Sequence, residues 1–268
     1  MEDKVAFITG AARGQGRAHA IRLAQEGAAG IIAVDICAEV PDAQVQYSGA
    51  TREDLDETVR LVEAAGGRIS ASVADVRDLD ALIDAADRGA AEFGKIDIVV
   101  ANAGVCAVAP WDKATPELVR TTVDINLIGT WNAVRATLPH LVSNGGGSVI
   151  LVGSVAGLKG LPFLSAYTMS KHGITGLARS LAIELGQQNI RVNSLHPGAV
   201  ATAMDDVASA FGPLLEANPA IGGSLQPMMP GLPSQPEDLA NAMMFLACDD
   251  SRFVTGHALA VDAGAVEY

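Results

Sequence analysis

A tyrosine and a lysine four residues apart, Tyr167 and Lys171, follow a serine, Ser154, that stands at the end of an apolar run. Positions i and i+4 share one face of a helix, so the phenol and the ammonium group can lie side by side. A phenol titrates near pH ~10 in water, and a nearby ammonium group lowers that pKa. We therefore expect Tyr167 to exchange a proton with a carbinol while Ser154 bonds the same oxygen. The alternative is an amphipathic helix with an incidental Tyr/Lys pair.

A glycine-rich stretch, TGAARGQG at 9–16, joins the first apolar run to the first helical pattern. A tight turn at this place lets backbone N–H groups and the helix dipole meet a pyrophosphate. A turn without a ligand has a similar composition, but the strand-to-helix context favours dinucleotide binding. The residues of this turn that we predict to bind the cofactor are Gly10, Arg13, Gly14, Gln15 and Gly16.

The second apolar run ends at Asp35. Its carboxylate can accept a hydrogen bond from a ribose 2′-hydroxyl and repel a 2′-phosphate, which predicts NAD as the cofactor. A carboxylate that only caps a loop is the plainer interpretation. Arg13, directly before Gly14, opposes the choice of NAD because a basic residue there can bind a 2′-phosphate.

Two further strand ends carry groups that suit a dinucleotide. After the third run, Asp75 can accept from an adenine amine while Val76 packs on the ring, although a turn aspartate has the same sequence. After the fourth run, the stretch ANAG can bring backbone close to the cofactor or simply turn the chain. The cofactor contacts predicted at the strand ends are Ile36, Asp75, Val76, Asn102, Ala103 and Gly104. We expect Lys171 to reach the nicotinamide ribose, beside Tyr167.

Short β-branched runs alternate along the chain with longer alanine-rich segments of helical period. This pattern predicts one α/β domain over 1–268, a doubly wound parallel (Rossmann) sheet of about seven strands with helices on both faces. The predicted strands are 5–9, 30–35, 68–73, 96–101, 147–152, 190–195 and 257–262, and the predicted helices are 15–26, 53–65, 78–93, 115–143, 166–187 and 236–248. Two longer connections, 36–52 and 199–235, interrupt the alternation, and such loops often carry function.

Composition narrows the class of protein. A chain of 268 residues with 49% hydrophobic content can bury a large core, and its net charge of −13 opposes nucleic-acid binding as the main task. The three cysteines are far apart and show no ligand spacing, so we expect no metal. Only four residues precede the first apolar run, and no run reaches the length of a membrane span. We therefore expect a cytoplasmic protein without membrane contact.

These motifs occur together in the order and spacing of the short-chain dehydrogenase/reductase family, which the whole chain resembles. The matching stretches are TGAARGQG, ANAG, DINLIGT, YTMSK and PGAVAT. The resemblance implies that Asn126 holds a water in a proton relay from Lys171, against the alternative of an asparagine that bonds backbone. It also implies a loop that holds the carboxamide of nicotinamide. The residues assigned to that loop are Pro197, Gly198, Val200 and Thr202.

A narrower resemblance rests on the insert at 36–52. This insert and its flanking sequence are similar to the mycofactocin-associated subgroup, which includes carveol dehydrogenases. The resemblance implies a tightly held NAD, an external redox partner (mycofactocin) and a homotetramer paired through the helices at 115–143 and 166–187. It gives 199–235 as the substrate loop. Gln15 departs from the family pattern, in which many members carry isoleucine at this place.

Three functions follow from this sequence. The leading one is an NAD-dependent alcohol dehydrogenase that interconverts a hydrophobic secondary alcohol, terpenoid or alicyclic and carveol-like, and its ketone. An NADPH-dependent ketoreductase, for instance of 3-oxoacyl thioesters, is the alternative that Arg13 supports and Asp35 opposes. A non-catalytic dinucleotide-binding protein is the third, and the intact Ser154, Tyr167 and Lys171 oppose it.

Overall fold

A seven-stranded parallel sheet forms the centre of the molecule in a computed structural model that describes residues 1–40, 45–231 and 233–267. The strands are β1 (Val5–Thr9), β2 (Gly30–Asp35), β3 (Ile69–Val73), β4 (Ile98–Ala101), β5 (Gly147–Val152), β6 (Ile190–Pro197) and β7 (Ala258–Val261). Their order across the sheet is β3-β2-β1-β4-β5-β6-β7. The order reverses between β1 and β4, so the crevice where dinucleotides bind lies at the carboxyl ends of these two strands.

Eight helices are described around the sheet, and several of them begin with a capping residue. They are α1 (Gly14–Gln25), α2 (Arg52–Ala64), α3 (Leu79–Phe93), α4 (Pro116–Val123), α5 (Gly129–Ser143), α6 (Ser165–Leu185), α7 (Ala208–Ala217) and α8 (Pro236–Ala247). Thr51 starts α2 with a capping box, and Asp78 and Thr115 accept from the third helical N–H of α3 and α4. Among the described residues, the predicted strands and helices all form, with most ends within two residues of the prediction.

Two segments differ from the prediction. The helix predicted at 115–143 contains a π-helical turn, Asp124–Ile128, between α4 and α5. Such single turns are frequent at functional sites, and this one contains Asn126. The connection predicted as a loop at 199–235 contains α7 and two 3₁₀ segments, Ala203–Val207 and Pro219–Leu225.

Apolar side chains pack on both faces of the sheet, as a doubly wound fold requires. On one face α3, α5 and α6 cover a cluster that includes Phe7, Val99 and Val149. On the other face α1, α2 and α8 cover Ile8, Val100 and Ile150. Neighbouring residues of each strand point to opposite faces of the sheet. Because helices cover both faces, the strand residues on each face are apolar. None of the helices in the described chain combines the length and the apolar character needed to cross a bilayer.

His19 in α1 is fully buried, and neither ring nitrogen has a hydrogen-bond partner among the described residues. Burial lowers the pKa of His19 from 6.5 to about 3. Between these values only the unfolded chain binds the proton, so stability falls as pH decreases below about 6.5. We expect the free energy of unfolding to drop by about 2 kcal/mol between pH 7 and pH 5 on account of this residue.

Urea titration of the wild type and of His19→Leu at both pH values tests this expectation. Leucine places an apolar side chain at this buried position of α1 and removes the titrating group. The variant should lose about 2 kcal/mol less than the wild type over this pH interval. Equal losses in the two proteins would contradict it. Burial also lowers the pKa of His196, which leaves some acid sensitivity in the variant.

Candidate active site

The glycine turn between β1 and α1 leaves the start of the helix open. Gly10 and Gly14 have φ values of +66° and +55°, in the left-handed region that glycine tolerates. At Gly16 a Cβ atom would collide with the carbonyl oxygen of Gly10. No side chain caps α1 at Arg13, and its first turn contains no acidic residue. The free N–H groups and the helix dipole therefore make this end of α1 suited to an anion such as a pyrophosphate.

Asp35 at the end of β2 is buried, and its carboxylate orders the adjacent backbone. One oxygen accepts from Ala12 N at 2.9 Å and the other from Cys37 N at 3.1 Å. The capping role considered from the sequence is therefore present. Asp35 also lines the cleft, so its negative charge faces any ligand of this edge.

Arg13 differs from its sequence-based interpretation. Its guanidinium donates to the carbonyl of Ser48 in the insert, so it anchors that segment across the cleft. A guanidinium with this partner is less available for a 2′-phosphate. Asp75 also differs, because Arg77 donates to both of its carboxylate oxygens, at 3.0 and 2.9 Å from Nε. This ion pair holds the pKa of Asp75 below its usual range although burial opposes it.

The stretch after β4 is tied to the glycine turn. The amide of Asn102 donates to the carbonyls of Thr9 and Gly10 at 3.1 and 3.2 Å. The Thr9 hydroxyl accepts from the N–H groups of Asn102 and Ala103. These contacts fix the two strand ends on either side of the switch point, a role of Asn102 that the sequence did not predict. Gly104 packs close to Asn126 and Lys171, since a Cβ atom there would lie 3.2 Å from Asn126 Oδ1 and 3.6 Å from Lys171 Nζ.

Ser154 follows β5, and its hydroxyl forms a hydrogen bond with Tyr167, from the first turn of α6. Lys171 is buried, donates from Nζ to the carbonyl of Val152 at 2.8 Å and lies 5.5 Å from the centre of the Tyr167 ring. The three residues are therefore brought together as predicted.

The expected effect of Lys171 on Tyr167 is wrong in this geometry. Burial raises the pKa of the Tyr167 phenol well above its ordinary value, and the Ser154 hydrogen bond opposes this rise. Burial lowers the pKa of Lys171 from 10.5 to about 8. The ammonium group bonds the Val152 carbonyl and lies over the ring, so it does not act mainly on the phenol oxygen. Tyr167 is therefore a proton donor in this structure.

Asn126 lies behind the cleft in the π-helical turn. Its side-chain oxygen accepts from Val105 N at 2.8 Å, and its amide donates to Val105 O and to Ser170 Oγ. The backbone-bonding alternative is thus present, and the side chain secures the segment after β4. The water relay stays a prediction, because no contact of Asn126 tests it.

The loop after β6 closes the other end of the cleft. Pro197 ends β6, Gly198 N donates to Val261 O at 3.0 Å, and Val200 forms an isolated parallel bridge with Ser234. Thr202 approaches the glycine turn, because a Cβ atom on Gly14 would lie 3.1 Å from its methyl group. The loop therefore reaches from the sheet to the turn that the sequence assigned to a pyrophosphate.

His196 acts on the site in a way the sequence did not reveal. Its Nδ1 lies 2.7 Å from the Ser154 carbonyl oxygen and must carry the proton, because that oxygen can only accept. Its Nε2 lies 2.8 Å from Ser194 Oγ, which then donates. Burial lowers the pKa of His196, so the ring stays neutral and positions Ser154. Gly153 leaves the necessary room, since a Cβ atom there would lie 2.6 Å from the ring.

The insert at 36–52 extends further than the adenosine side. Residues 41–44 are outside the described chain, but 45–50 cross the cleft toward the segment after β4. Gln46 and Val108 exchange two hydrogen bonds at 3.2 Å, and the Tyr47 hydroxyl accepts from Cys106 N at 3.0 Å. The described part is therefore attached on both sides of the cleft and is not an exposed excursion.

One continuous cavity of about 540 Å³ follows the carboxyl edge of the sheet. Every predicted site residue lines it except Gly16 and Asn126, which pack directly behind it. The cavity ends in an apolar chamber formed by Leu161, Leu164, Met204, Val207, Phe211 and Leu225. The last four belong to the connection 199–235, as the sequence assignment of a substrate loop requires.

These residues fit a dinucleotide. Three features face the place that a dinucleotide would take: the uncapped start of α1, Gly16, where a Cβ atom would strike the turn, and the side chain of Gln15. Gln15 Oε1 is buried and has no hydrogen-bond partner among the described residues. Asp35 at the far end suits a ribose with two free hydroxyls. The chamber beside Ser154 and Tyr167 suits an apolar second ligand.

Known proteins share this arrangement. The family model described as enoyl-(acyl carrier protein) reductase matches residues 10–266. A short chain dehydrogenase of Mycobacterium paratuberculosis, crystallised with NAD, is 52% identical and superimposes with a TM-score of 0.97, covering 100% of this chain and 99% of that one. The carveol dehydrogenase of Mycobacterium avium in complex with NAD is 44% identical, with a TM-score of 0.92 and the same coverage.

A curated relative agrees with these structures. The (-)-trans-carveol dehydrogenase of Rhodococcus erythropolis is 43% identical over 274 residues, which are 98% of each chain. The likeness covers nearly the whole chain of each protein and the whole fold. The chain belongs to the short-chain dehydrogenase/reductase family and is one of its NAD-dependent oxidoreductases, similar to the carveol dehydrogenases.

Proposed function

We propose that the protein interconverts a hydrophobic secondary alcohol, terpenoid or alicyclic and carveol-like, and its ketone. The observation that carries this proposal is the hydrogen-bonded pair Ser154 and Tyr167 at the junction of the dinucleotide cleft and an apolar chamber. When the oxygen of an alcohol bonds the hydroxyls of Ser154 and Tyr167, the hydrocarbon part of the alcohol lies in that chamber. The relatives named as carveol dehydrogenases act on substrates of this class.

The proposed mechanism assigns one task to each side chain. Tyr167 donates its phenol proton to the substrate oxygen during ketone reduction and accepts it back during alcohol oxidation. Ser154 donates a hydrogen bond to the same oxygen, and His196 fixes its position through the backbone. NAD, when bound, supplies the hydride acceptor or donor. Lys171, the glycine turn and the loop from Pro197 to Thr202 hold the cofactor, with Asn126 supporting the segment beside it.

During alcohol oxidation Tyr167 acts as a base, so its phenol must first be in the deprotonated form. Here the pKa of Tyr167 is raised by burial, so ketone reduction is the direction for which the phenol is ready near neutral pH. Alcohol oxidation should accelerate as pH rises, because it needs the deprotonated form.

Purified protein incubated with a ring alcohol such as carveol or cyclohexanol tests the function. We expect the nicotinamide absorbance of the reduced cofactor to appear and the matching ketone to form in equal amount. A linear primary alcohol of similar size is the control, since its carbinol carries a second hydrogen in place of a carbon. A protein that forms no ketone from any ring alcohol, with NAD present, would overturn the proposal.

Asp35 should determine the preference for NAD over NADP. Asp35→Asn removes the charge and keeps an oxygen for one of the two backbone N–H groups. We expect the ratio of the NADP and NAD dissociation constants to narrow by about tenfold, or about 1.4 kcal/mol. Titration of both nucleotides by calorimetry measures the ratio. A wild-type protein that binds NADP more tightly would show that Arg13 dominates.

An NADPH-dependent ketoreductase, for instance of 3-oxoacyl thioesters, is the alternative. The observation in its favour is the similarity to the 3-oxoacyl-[acyl-carrier-protein] reductase of Thermotoga maritima, which is 33% identical over 266 residues. Two features oppose binding of a 2′-phosphate: the Asp35 carboxylate, which is buried at the end of β2, and the hydrogen bond from Arg13 to the carbonyl of Ser48.

We also propose that the cofactor is tightly held and that turnover needs an external redox partner, mycofactocin by resemblance. The support is the insert, which is attached to both edges of the cleft. The homotetramer is a further proposal, supported by exposed apolar side chains on the helices expected to pair: Ile128, Trp131, Val142, Met169 and Ile183. Light scattering at micromolar concentration checks it. The cytoplasmic location stays a prediction.

A further inference from the structure

Tyr47 places a polar group of the insert in the substrate chamber. Although the insert leaves β2 at the adenosine end, the ring of Tyr47 packs in the apolar cluster that includes Leu164, Val207 and Tyr167. The same tyrosine lines the cavity. The adenosine-side insert therefore contributes a wall to the site where the substrate is expected.

The position of this ring is fixed by neighbours on the opposite edge of the cleft. Its oxygen accepts from Cys106 N at 3.0 Å, and the adjacent Gln46 exchanges two hydrogen bonds with the backbone of Val108. A side chain held at the oxygen and at the next residue cannot turn away without breaking these contacts. The hydroxyl is thus preorganised in the chamber.

The hydroxyl has one unused function. A phenol has one proton to donate as well as lone pairs that accept. Cys106 N occupies a lone pair, and no acceptor for the proton lies among the residues described, 1–40, 45–231 and 233–267. Burial raises the pKa of Tyr47 far above its usual value, so the proton is retained at any physiological pH. Tyr47 is therefore a hydrogen-bond donor that cannot replace Tyr167 as a base.

The chamber has few other polar points. Its wall is largely aliphatic and aromatic, and the reacting oxygen is expected at Ser154 and Tyr167. Tyr47 and Tyr167 both pack against the same cluster, which contains Cys106 and Leu164, so the two rings border the same chamber. A second oxygen of the substrate can accept a hydrogen bond from Tyr47 only if it lies close to the reacting carbinol group.

We propose that Tyr47 determines specificity by donating a hydrogen bond to a second acceptor oxygen of the substrate, so that the preferred substrates are ring diones and hydroxyketones. This inference rests on the proposed function, because it assumes that the chamber binds a ring ketone. A site with a donor placed for an oxygen discriminates against the analogue that lacks it, since the donor is then left unpaired.

The test compares cyclohexanone with 1,2-, 1,3- and 1,4-cyclohexanedione. Calorimetry on the protein loaded with oxidised NAD measures binding without reaction. Single-turnover oxidation of NADH on the NADH-loaded protein, over a range of ketone concentrations, measures kcat/KM. The wild type should favour at least one dione by about tenfold in both quantities. Tyr47→Phe keeps the ring and removes the hydroxyl, and should reduce this preference to about twofold or less. Gln46→Ala removes the two bonds to Val108 that help to hold Tyr47, and should lower the dione preference part of the way.

The outcomes separate the two proposals. Equal affinity of the wild type for all four compounds would overturn the role of Tyr47, as would a preference that survives in Tyr47→Phe. If the dione preference in binding depends on the Tyr47 hydroxyl but no ketone is reduced, the role of Tyr47 stands and the proposed function fails. Failure of the wild type to bind any of the compounds would overturn the inference.

Discussion

Tyr167→Phe should lower kcat by at least about 10³-fold while leaving the dissociation constant of NAD within about twofold of the wild-type value. The change removes one oxygen from a ring that stays packed against Cys106 and Leu164. That oxygen is the group that bonds Ser154 and is placed to exchange the proton. Neither Tyr47 nor His196 can take over, because Tyr47 keeps its proton and His196 is committed to Ser154 and Ser194.

Stopped-flow measurement of the cofactor absorbance, together with calorimetric NAD titration, separates chemistry from binding. Ser154→Ala is the matched comparison, because it removes the hydrogen bond that lowers the pKa of Tyr167 and leaves the phenol in place. We expect a smaller loss for this variant, with the pH at which alcohol oxidation accelerates shifted upward. Wild-type turnover in Tyr167→Phe would show that the proton is carried by another group.

Local patterns were sufficient to predict most of the fold. The runs that form β1 and β2 are apolar up to their last residues, Thr9 and Asp35, and both strands have the predicted bounds. The helix caps at Asp78 and Thr115 are read from neighbouring residues. The π-helical turn at Asp124–Ile128 could not be predicted, because one widened turn inside a helix leaves the apolar period nearly unchanged.

The site was predictable in its residues and less so in its electrostatics. Tyr167 and Lys171 meet because they share a helix face, but the Val152 carbonyl that binds the ammonium group comes from another strand. The pKa of Tyr167 depends mainly on burial, which only the packed structure determines. The contact between Tyr47 and Cys106 joins residues far apart in sequence, and no local pattern in the insert indicates it.

Removing the insert should convert a protein that retains its cofactor into an ordinary dehydrogenase. The insert bonds Arg13 at the glycine turn through Ser48, and Cys106 and Val108 across the cleft through Tyr47 and Gln46. A dinucleotide beneath these contacts cannot leave until they break. We expect the full-length protein to keep NAD(H) through gel filtration, and a secondary alcohol to reduce it once unless an external electron acceptor is added.

The geometry of the insert allows a clean deletion. Its two ends meet, because a Cβ atom on Gly49 would strike the Ala38 carbonyl and Gly49 N donates to the Glu39 carboxylate at 2.9 Å. Replacing residues 39–48 by two glycines should therefore leave β2 and the Thr51 cap of α2 in place. Release of NADH from this variant, followed by fluorescence, should be at least about 100-fold faster than from the wild type, in line with the loss of several hydrogen bonds.

Gln46→Ala breaks two of these bonds without shortening the chain, and should accelerate release by about tenfold. An intermediate rate in this variant would assign part of the retention to the contact with Val108. The shortened protein should turn over repeatedly with free NAD and a ring alcohol, whereas the full-length protein should stop after one equivalent. A full-length protein that emerges without nucleotide and turns over freely with added NAD would contradict both the retention and the need for a redox partner. That result would mean that the hydrogen bonds on the two edges of the cleft do not slow the release of the cofactor.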